Sequence, residues 1–163
     1  MTFFDNCHKR GTDKWKYAGA YEEIFAGEKP MNLLEFGVQG GSSLWLWSDV
    51  FPGVQITGVD LNLSSGLRVP TGTKLMGGGQ EDAGVLSELK AAGPWDIVID
   101  DAGHQTKAQR VSWDALHSLT RKYVIEDLTE QDAAYWRGVK EPTKEYKSTA
   151  TPEWLFLYEN RGN

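Results

Sequence analysis

Short apolar runs alternate along the chain with longer segments whose apolar residues recur at helical spacing. The runs predict strands at about 32–37, 55–60, 73–76, 95–99 and 123–125. The segments predict helices at about 15–27, 42–51, 81–92, 105–119 and 130–138. A loop is predicted at 61–72, and a closing hairpin at 144–149 and 154–158. This alternation predicts an α/β fold with a mostly parallel sheet, helices on both of its faces and a C-terminal antiparallel hairpin.

Length and charge narrow the function classes. A chain of 163 residues predicts one domain, 1–163, with an N-terminal segment at 1–30 and the closing hairpin within 139–163. The net charge of −6 and the absence of Lys/Arg runs argue against a nucleic-acid partner. No apolar run approaches the ~20 residues of a membrane span, and the first residues lack the features of a secretory signal. The lone Cys7 fits a reducing compartment, so we expect a cytoplasmic protein.

The segment from Leu33 to Ser43 predicts a ligand-binding turn. An apolar strand leads through Glu35 into the glycine-rich stretch Gly37–Gly41, and Ser42 or Ser43 can cap the helix that follows. The next strand ends in Asp60, where an acid can hydrogen-bond a ribose diol.

Glycine spacing and charge decide between cofactors. A dinucleotide site favours G-x-G-x-x-G, whereas this chain has G-x-x-G-G with Glu35 two residues before the first glycine. A carboxylate there would repel a pyrophosphate but suits an amine-bearing ligand, such as the methionine part of S-adenosylmethionine (SAM). The alternatives are an NAD-linked enzyme and an ordinary strand-to-helix turn with an exposed acid.

Acids also end two later strands. Asp100 and Asp101 end one strand, His104 follows, and Glu126 and Asp127 end the next. Parallel neighbours lie about 4.8 Å apart, so these carboxylates would crowd one sheet edge and repel each other. A divalent cation, Mg²⁺ or else Mn²⁺, would relieve that repulsion, and the imidazole could act there as a general base. The alternative is that Asp101 caps the following helix and that Glu126 and Asp127 cap a helix or face water.

Together these motifs resemble a known family. The residues that carry the resemblance are Gly11-Thr12-Asp13-Lys14, Glu35 to Ser43, Gly58-Val59-Asp60, Gly79-Gln80-Glu81-Asp82, Asp100 to His104 and Ile125-Glu126-Asp127-Leu128. The chain is similar to class I SAM-dependent methyltransferases, with their Rossmann-like fold. Within that class it resembles the metal-dependent macrolide-sugar O-methyltransferases and the related cephalosporin-biosynthesis and rhamnosyl O-methyltransferase group.

The resemblance implies roles for individual residues. The cofactor-binding residues would be Glu35, Gly37, Gly41, Ser42, Asp60, Gln80, Asp82, Asp100, Thr12, Asp13 and Tyr17. The metal ligands would be Asp101, Glu126 and Asp127, with His104 as the base and Asp101 beside it in catalysis. Residues 1–30 would cover the cofactor. Two departures are Ala102-Gly103 in place of Gly-Ser, and Trp15-Lys16-Tyr17 in place of His-Gly-Tyr.

The resemblance implies SAM- and Mg²⁺-dependent O-methylation of a small-molecule hydroxyl, with a sugar or glycosylated natural product as acceptor. The segment after Leu128 is short, so the acceptor pocket would be open or completed by a second subunit of a homo-oligomer. The alternative is a protein that binds or consumes SAM without methyl transfer to a sugar.

Overall fold

A seven-stranded sheet runs through the chain in the order β3-β2-β1-β4-β5-β7-β6. The computed structural model describes residues 2–160, so the end of the predicted closing segment, 161–163, and residue 1 lie outside the described residues. The strands are β1 (Asn32–Phe36), β2 (Gln55–Asp60), β3 (Lys74–Gly77), β4 (Trp95–Asp100), β5 (Thr120–Leu128), β6 (Lys144–Lys147) and β7 (Trp154–Glu159). The first five are parallel, and β7 is antiparallel to both β5 and β6. The predicted fold class is confirmed.

Helices cover both faces of this sheet. They are α1 (Phe3–Arg10), α2 (Ala18–Ile24), α3 (Ser42–Val50), α4 (Ala83–Ala92), α5 (Thr106–Leu116) and α6 (Glu130–Val139). One apolar cluster packs α1, α2 and α3 against one face of the sheet, and a second packs α4, α5 and α6 against the other. Burial on both faces explains why the central strands are continuous apolar runs. Among the described residues, no helix has the length and hydropathy needed to span a bilayer.

The N-terminal segment differs most from the predicted elements. Its first helix, α1, is not in the prediction; Thr2 caps it, and the Asp5 side chain returns a bond to the Thr2 amide. The helix expected over 15–27 is instead a 3₁₀ helix, Asp13–Tyr17, followed by the short α2. Lys14 and Lys16 lie within this 3₁₀ helix, and both are buried.

Register brings the strand ends together. Phe36 of β1 pairs with Asp100 of β4, and Asp100 pairs with Ile125 of β5. The residues that follow these positions are therefore neighbours at the carboxyl edge of the sheet, where ligands gather in folds of this kind.

Candidate active site

A cavity of about 630 Å³ opens at the carboxyl edge of the sheet. Most residues predicted from the first motif and the strand ends line it. Those lining residues are Thr12, Asp13, Gly37, Ser42, Asp60, Gln80, Asp101, His104 and Asp127. The remaining predicted residues do not line it: Tyr17, Glu35, Gly41, Asp82, Asp100 and Glu126.

Gly37 forms the floor of the turn after β1. Its φ is +92°, and a Cβ built on it would lie 2.0 Å from the backbone oxygen of Asp101. Only glycine allows this close approach between the turn and the end of β4. Gly41, with φ +77°, is the N-cap of α3, and neither serine caps that helix with its side chain.

Gly37→Ala should therefore lower the free energy of unfolding by about 2–3 kcal/mol, because it adds a steric overlap to backbone strain. The matched control is Gly27→Ala, since Gly27 also has a positive φ, +76°, but its Cβ would meet nothing within 4 Å. Urea unfolding of both variants measures the difference. Equal losses would show that the contact with Asp101 is not a constraint.

Glu35, the residue two positions before Gly37, is fully buried. Its Oε2 accepts hydrogen bonds from Ser43 Oγ at 2.8 Å and Trp47 Nε1 at 3.0 Å. Its Oε1 accepts no hydrogen bond and lies 3.5 Å from Lys14 Nζ. Burial raises the pKa of Glu35 to about 7, although the Lys14 charge opposes this. The carboxylate thus shapes the turn from below in this structure.

Asp60 faces the cavity from the end of β2. Its Oδ2 accepts from the amides of Val38 and Gln39, both at 2.8 Å, and its Oδ1 accepts from Asn62 at 2.8 Å. Burial alone would raise its pKa, but these three backbone bonds outweigh burial and lower it. The ionised carboxylate therefore holds the glycine turn and the following loop in place.

Gln80 lines the cavity, whereas the predicted acids Asp82 and Asp100 do not. The Gln80 Nε2 donates to both oxygens of the fully buried Asp100, at 3.2 and 3.0 Å. Ser112 Oγ also donates to Asp100, at 3.2 Å, and burial raises the Asp100 pKa to about 7. Asp82 is the N-cap of α4, and its side chain accepts hydrogen bonds from the amides of Gly84 and Val85. The bonds to Asp100 thus fix the orientation of the Gln80 amide group.

The candidate metal centre lies at the other end of the cavity. One ligand atom from each of Asp101, His104 and Asp127 falls within 4.8 Å of the others. His104 Nε2 lies 3.8 Å from Asp127 Oδ2, and the His104 side chain is 44% exposed. The structure thus brings together two of the three predicted metal ligands with the predicted base.

Glu126 is buried and does not line the cavity. Its Oε1 lies 2.7 Å from Lys14 Nζ and accepts a hydrogen bond from Tyr21. Its Oε2 is buried and accepts no hydrogen bond in the part of the chain that the structure describes. Burial raises the Glu126 pKa despite the nearby Lys14 charge.

Two buried lysines, absent from the predicted site, neutralise these acids. Lys14 Nζ, whose side chain is 1% exposed, contacts Asp101, Glu126 and Glu35. Burial alone would lower its pKa, but the three carboxylates outweigh that effect and keep the pKa raised. Lys16 Nζ lies 2.7 and 2.8 Å from the two oxygens of Asp127, and Tyr17 OH donates to the same side chain at 3.0 Å. The sequence pointed to Lys14 through the Thr12-Asp13-Lys14 motif and to Lys16 through the departure Trp15-Lys16-Tyr17, but neither gave a role for the lysine.

Backbone strain marks the same cavity. Within residues 2–160, the non-glycine residues with positive φ are Gln39 at 45°, His104 at 49° and Asp127 at 56°. All three line the cavity. Left-handed conformations of such residues persist where surrounding contacts enforce them, and they concentrate at functional sites.

Oxygen donors make this end of the cavity suitable for a hard divalent cation. Asp101 and Asp127 supply carboxylates, and Glu126 has a buried oxygen without a hydrogen-bond partner. Mg²⁺ and Mn²⁺ prefer such ligands. The residues therefore fit the metal, provided that the lysine contacts to Asp101 and Asp127 can rearrange.

The known proteins that this chain resembles in sequence are O-methyltransferases. The chain is 36% identical over 140 residues to 8-demethyl-8-(2-methoxy-alpha-L-rhamnosyl)-tetracenomycin-C 3'-O-methyltransferase of Streptomyces olivaceus, covering 74% of this chain and 35% of that protein. It is 39% identical over 119 residues to demethylmacrocin O-methyltransferase of Streptomyces fradiae, covering 66% of this chain and 29% of that protein. No protein-family profile matches the chain.

Solved structures agree with these relatives. MycE methyltransferase from the mycinamycin pathway, in complex with Mg and SAH, aligns with a TM-score of 0.70 and 30% identity over 86% of this chain and 40% of that one. An O-methyltransferase from Bacillus cereus aligns with a TM-score of 0.63 at 11% identity, which is a likeness of fold alone. The chain has a Rossmann-like methyltransferase fold and resembles the sugar O-methyltransferases. This methyltransferase-like chain spans about a third of the length of the curated relatives that it matches.

Proposed function

We propose that the chain is a SAM- and Mg²⁺-dependent O-methyltransferase domain that acts on a hydroxyl of a small molecule, a sugar or a glycosylated natural product. The observation that carries the proposal is one cavity that contains both the glycine turn with Asp60 and the Asp101, His104 and Asp127 group. Both relatives named above are O-methyltransferases by name, and the name of the first includes a rhamnosyl group, which supports a glycosylated acceptor.

The cofactor half of the cavity would bind SAM, which supplies an electrophilic methyl group when bound. Asp60 would accept a hydrogen bond from the ribose hydroxyls, because it lines the cavity and its Oδ1 accepts only one backbone hydrogen bond. Gln80 would meet the adenine, with its amide orientation fixed by Asp100. Gly37 would let the methionine part approach the backbone, and the buried Glu35 would support the turn through its bonds to Ser43 and Trp47.

The part of the cavity that contains Asp101, His104 and Asp127 would bind Mg²⁺ and the acceptor. Asp101, Asp127 and Glu126 would hold the ion, which when bound lowers the energy of a developing alkoxide. His104 would take the acceptor proton at Nε2, so that the oxygen electron pair forms the bond to the methyl carbon as the C–S bond breaks and SAH leaves. We assign His104 as base rather than ligand because Mg²⁺ prefers oxygen and the imidazole is the more exposed group.

A direct test uses calorimetry with SAH and NAD, followed by methyl transfer from labelled SAM to glycosylated macrolides and rhamnosylated polyketides. The proposal predicts SAH binding, no NAD binding and transfer to at least one glycosylated acceptor. SAH binding without transfer to any of them would favour a SAM-binding protein instead.

The proposal also places the protein in the cytoplasm, where the free, buried Cys7 thiol would stay reduced.

Metal removal gives a separate prediction. Excess EDTA should abolish methyl transfer while SAH affinity stays within about twofold, because Asp60 and Gln80 lie at the other end of the cavity from Asp127. Turnover with and without chelator, and with added Mg²⁺, measures this. Full turnover in EDTA would remove the metal from the mechanism.

A further inference from the structure

Lys16 is the closest cation to the candidate metal ligand Asp127. Its ammonium lies 2.7 Å from Oδ1 and 2.8 Å from Oδ2, so it contacts both oxygens that a metal could use. The Lys16 side chain is only 8% exposed, and the Asp127 side chain only 12%. Water can therefore do little to screen the charges that meet there.

A metal ion at Asp127 conflicts with this contact. An ion bound at about 2.1 Å to an oxygen that also binds Nζ would lie within about 5 Å of the ammonium. Two cations this close in a poorly screened place repel strongly. Binding of the ion through Asp127 therefore requires either that the repulsion be tolerated or that the ammonium move.

Lys16 has other acceptors within reach. Asp13 Oδ2 already lies 3.0 Å from Nζ, and Glu153 Oε2 lies at 4.0 Å. The backbone of Lys16 is fixed separately, because its carbonyl accepts from Thr149 N at 3.0 Å and Thr149 Oγ1 at 3.1 Å. The ammonium can thus change partners by side-chain motion alone, without becoming a buried unpaired charge.

We propose that Lys16 is an internal cation that competes with the divalent metal for Asp127, and that metal binding moves its ammonium to Asp13 and Glu153. The inference rests on the metal site of the proposed function. It adds that the chain carries its own replacement for the ion, which neutralises Asp127 when metal is scarce and weakens metal affinity when metal is present.

The test is Mn²⁺ binding to Lys16→Met, measured by the loss of the free Mn²⁺ EPR signal and by calorimetry with Mg²⁺. Methionine keeps an unbranched side chain, one atom shorter than that of lysine, and removes the charge, so the affinity of the variant for Mn²⁺ should rise by about tenfold or more. The matched control is Lys74→Met, because Lys74 forms an exposed ion pair with Glu88 at 3.6 Å, and it should bind as the unmodified protein does. Equal or weaker affinity in Lys16→Met overturns the proposal.

A second measurement does not depend on the folding of that variant. In the unmodified chain with ¹³C-labelled lysine, the Lys16 Cε resonance, assigned with Lys16→Arg, should shift in step with Mg²⁺ saturation. A resonance that stays in place while metal binds overturns the proposal, as does the absence of metal binding in all variants. Failure of the proposed function would give a result different from failure of the Lys16 proposal. Methyl transfer that persists in EDTA would show that the reaction needs no metal.

Discussion

Replacing His104 by asparagine is expected to lower methyl transfer by about a hundredfold or more, because no other imidazole lines the cavity within residues 2–160. Asparagine is the better replacement than alanine, since it tolerates the left-handed backbone that His104 adopts at φ 49°. His104→Ala should show the same loss. SAH affinity should change little in either variant, because His104 lies at the acceptor end of the cavity.

Single-turnover methyl transfer and SAH calorimetry together measure this outcome. His8→Ala is the control, since His8 is exposed and stacks on Trp15 outside the cavity. Turnover in His104→Asn close to that of the unmodified protein would exclude the base assignment. A parallel loss of SAH affinity would point instead to a collapsed cavity.

Replacing Lys14 by methionine is expected to lower the free energy of unfolding by about 3–5 kcal/mol. The ammonium contacts Asp101, Glu126 and Glu35, and two of these carboxylates are fully or almost fully buried. Without it, a group of acids would remain buried with no cation, and they would have to take up protons or let water in.

Urea unfolding of Lys14→Met at neutral pH gives the measurement. Lys9→Met is the control, because Lys9 forms an exposed ion pair with Asp49 at 3.1 Å and such pairs contribute at most about 1 kcal/mol. A loss for Lys14→Met as small as that of the control would mean that the buried acids are already protonated without the lysine.

Much of the fold could be predicted because the central strands are buried on both faces. Continuous apolar runs locate β1, β2 and β4 to within a residue or two of their observed bounds. Helix α1 was missed because it is only 8 residues long and buries only two apolar side chains, Phe3 and Cys7. Strand β5 begins earlier than predicted because Lys122, buried at 8% exposure, donates to the Ile24 carbonyl and so fits a buried strand.

The sequence predicted which acids lie at the strand ends of the site, but it did not predict the lysines that neutralise them. Parallel strands place Asp60, Asp101 and Asp127 at one edge of the sheet, and this follows from topology alone. The burial of Lys14 and Lys16 depends on contacts with residues about a hundred positions away, which no local pattern reveals. The contacts of Glu126 with Lys14 and Tyr21 join positions just as distant along the chain.

The bonds between the Lys16 carbonyl and Thr149 join positions 133 residues apart. The Lys16 backbone is therefore fixed only when the segment around Thr149 has folded back onto it. During synthesis the ribosome delivers every parallel strand before that segment emerges. A nascent chain at that stage would present its acidic strand ends to a lysine whose backbone is not yet held in place.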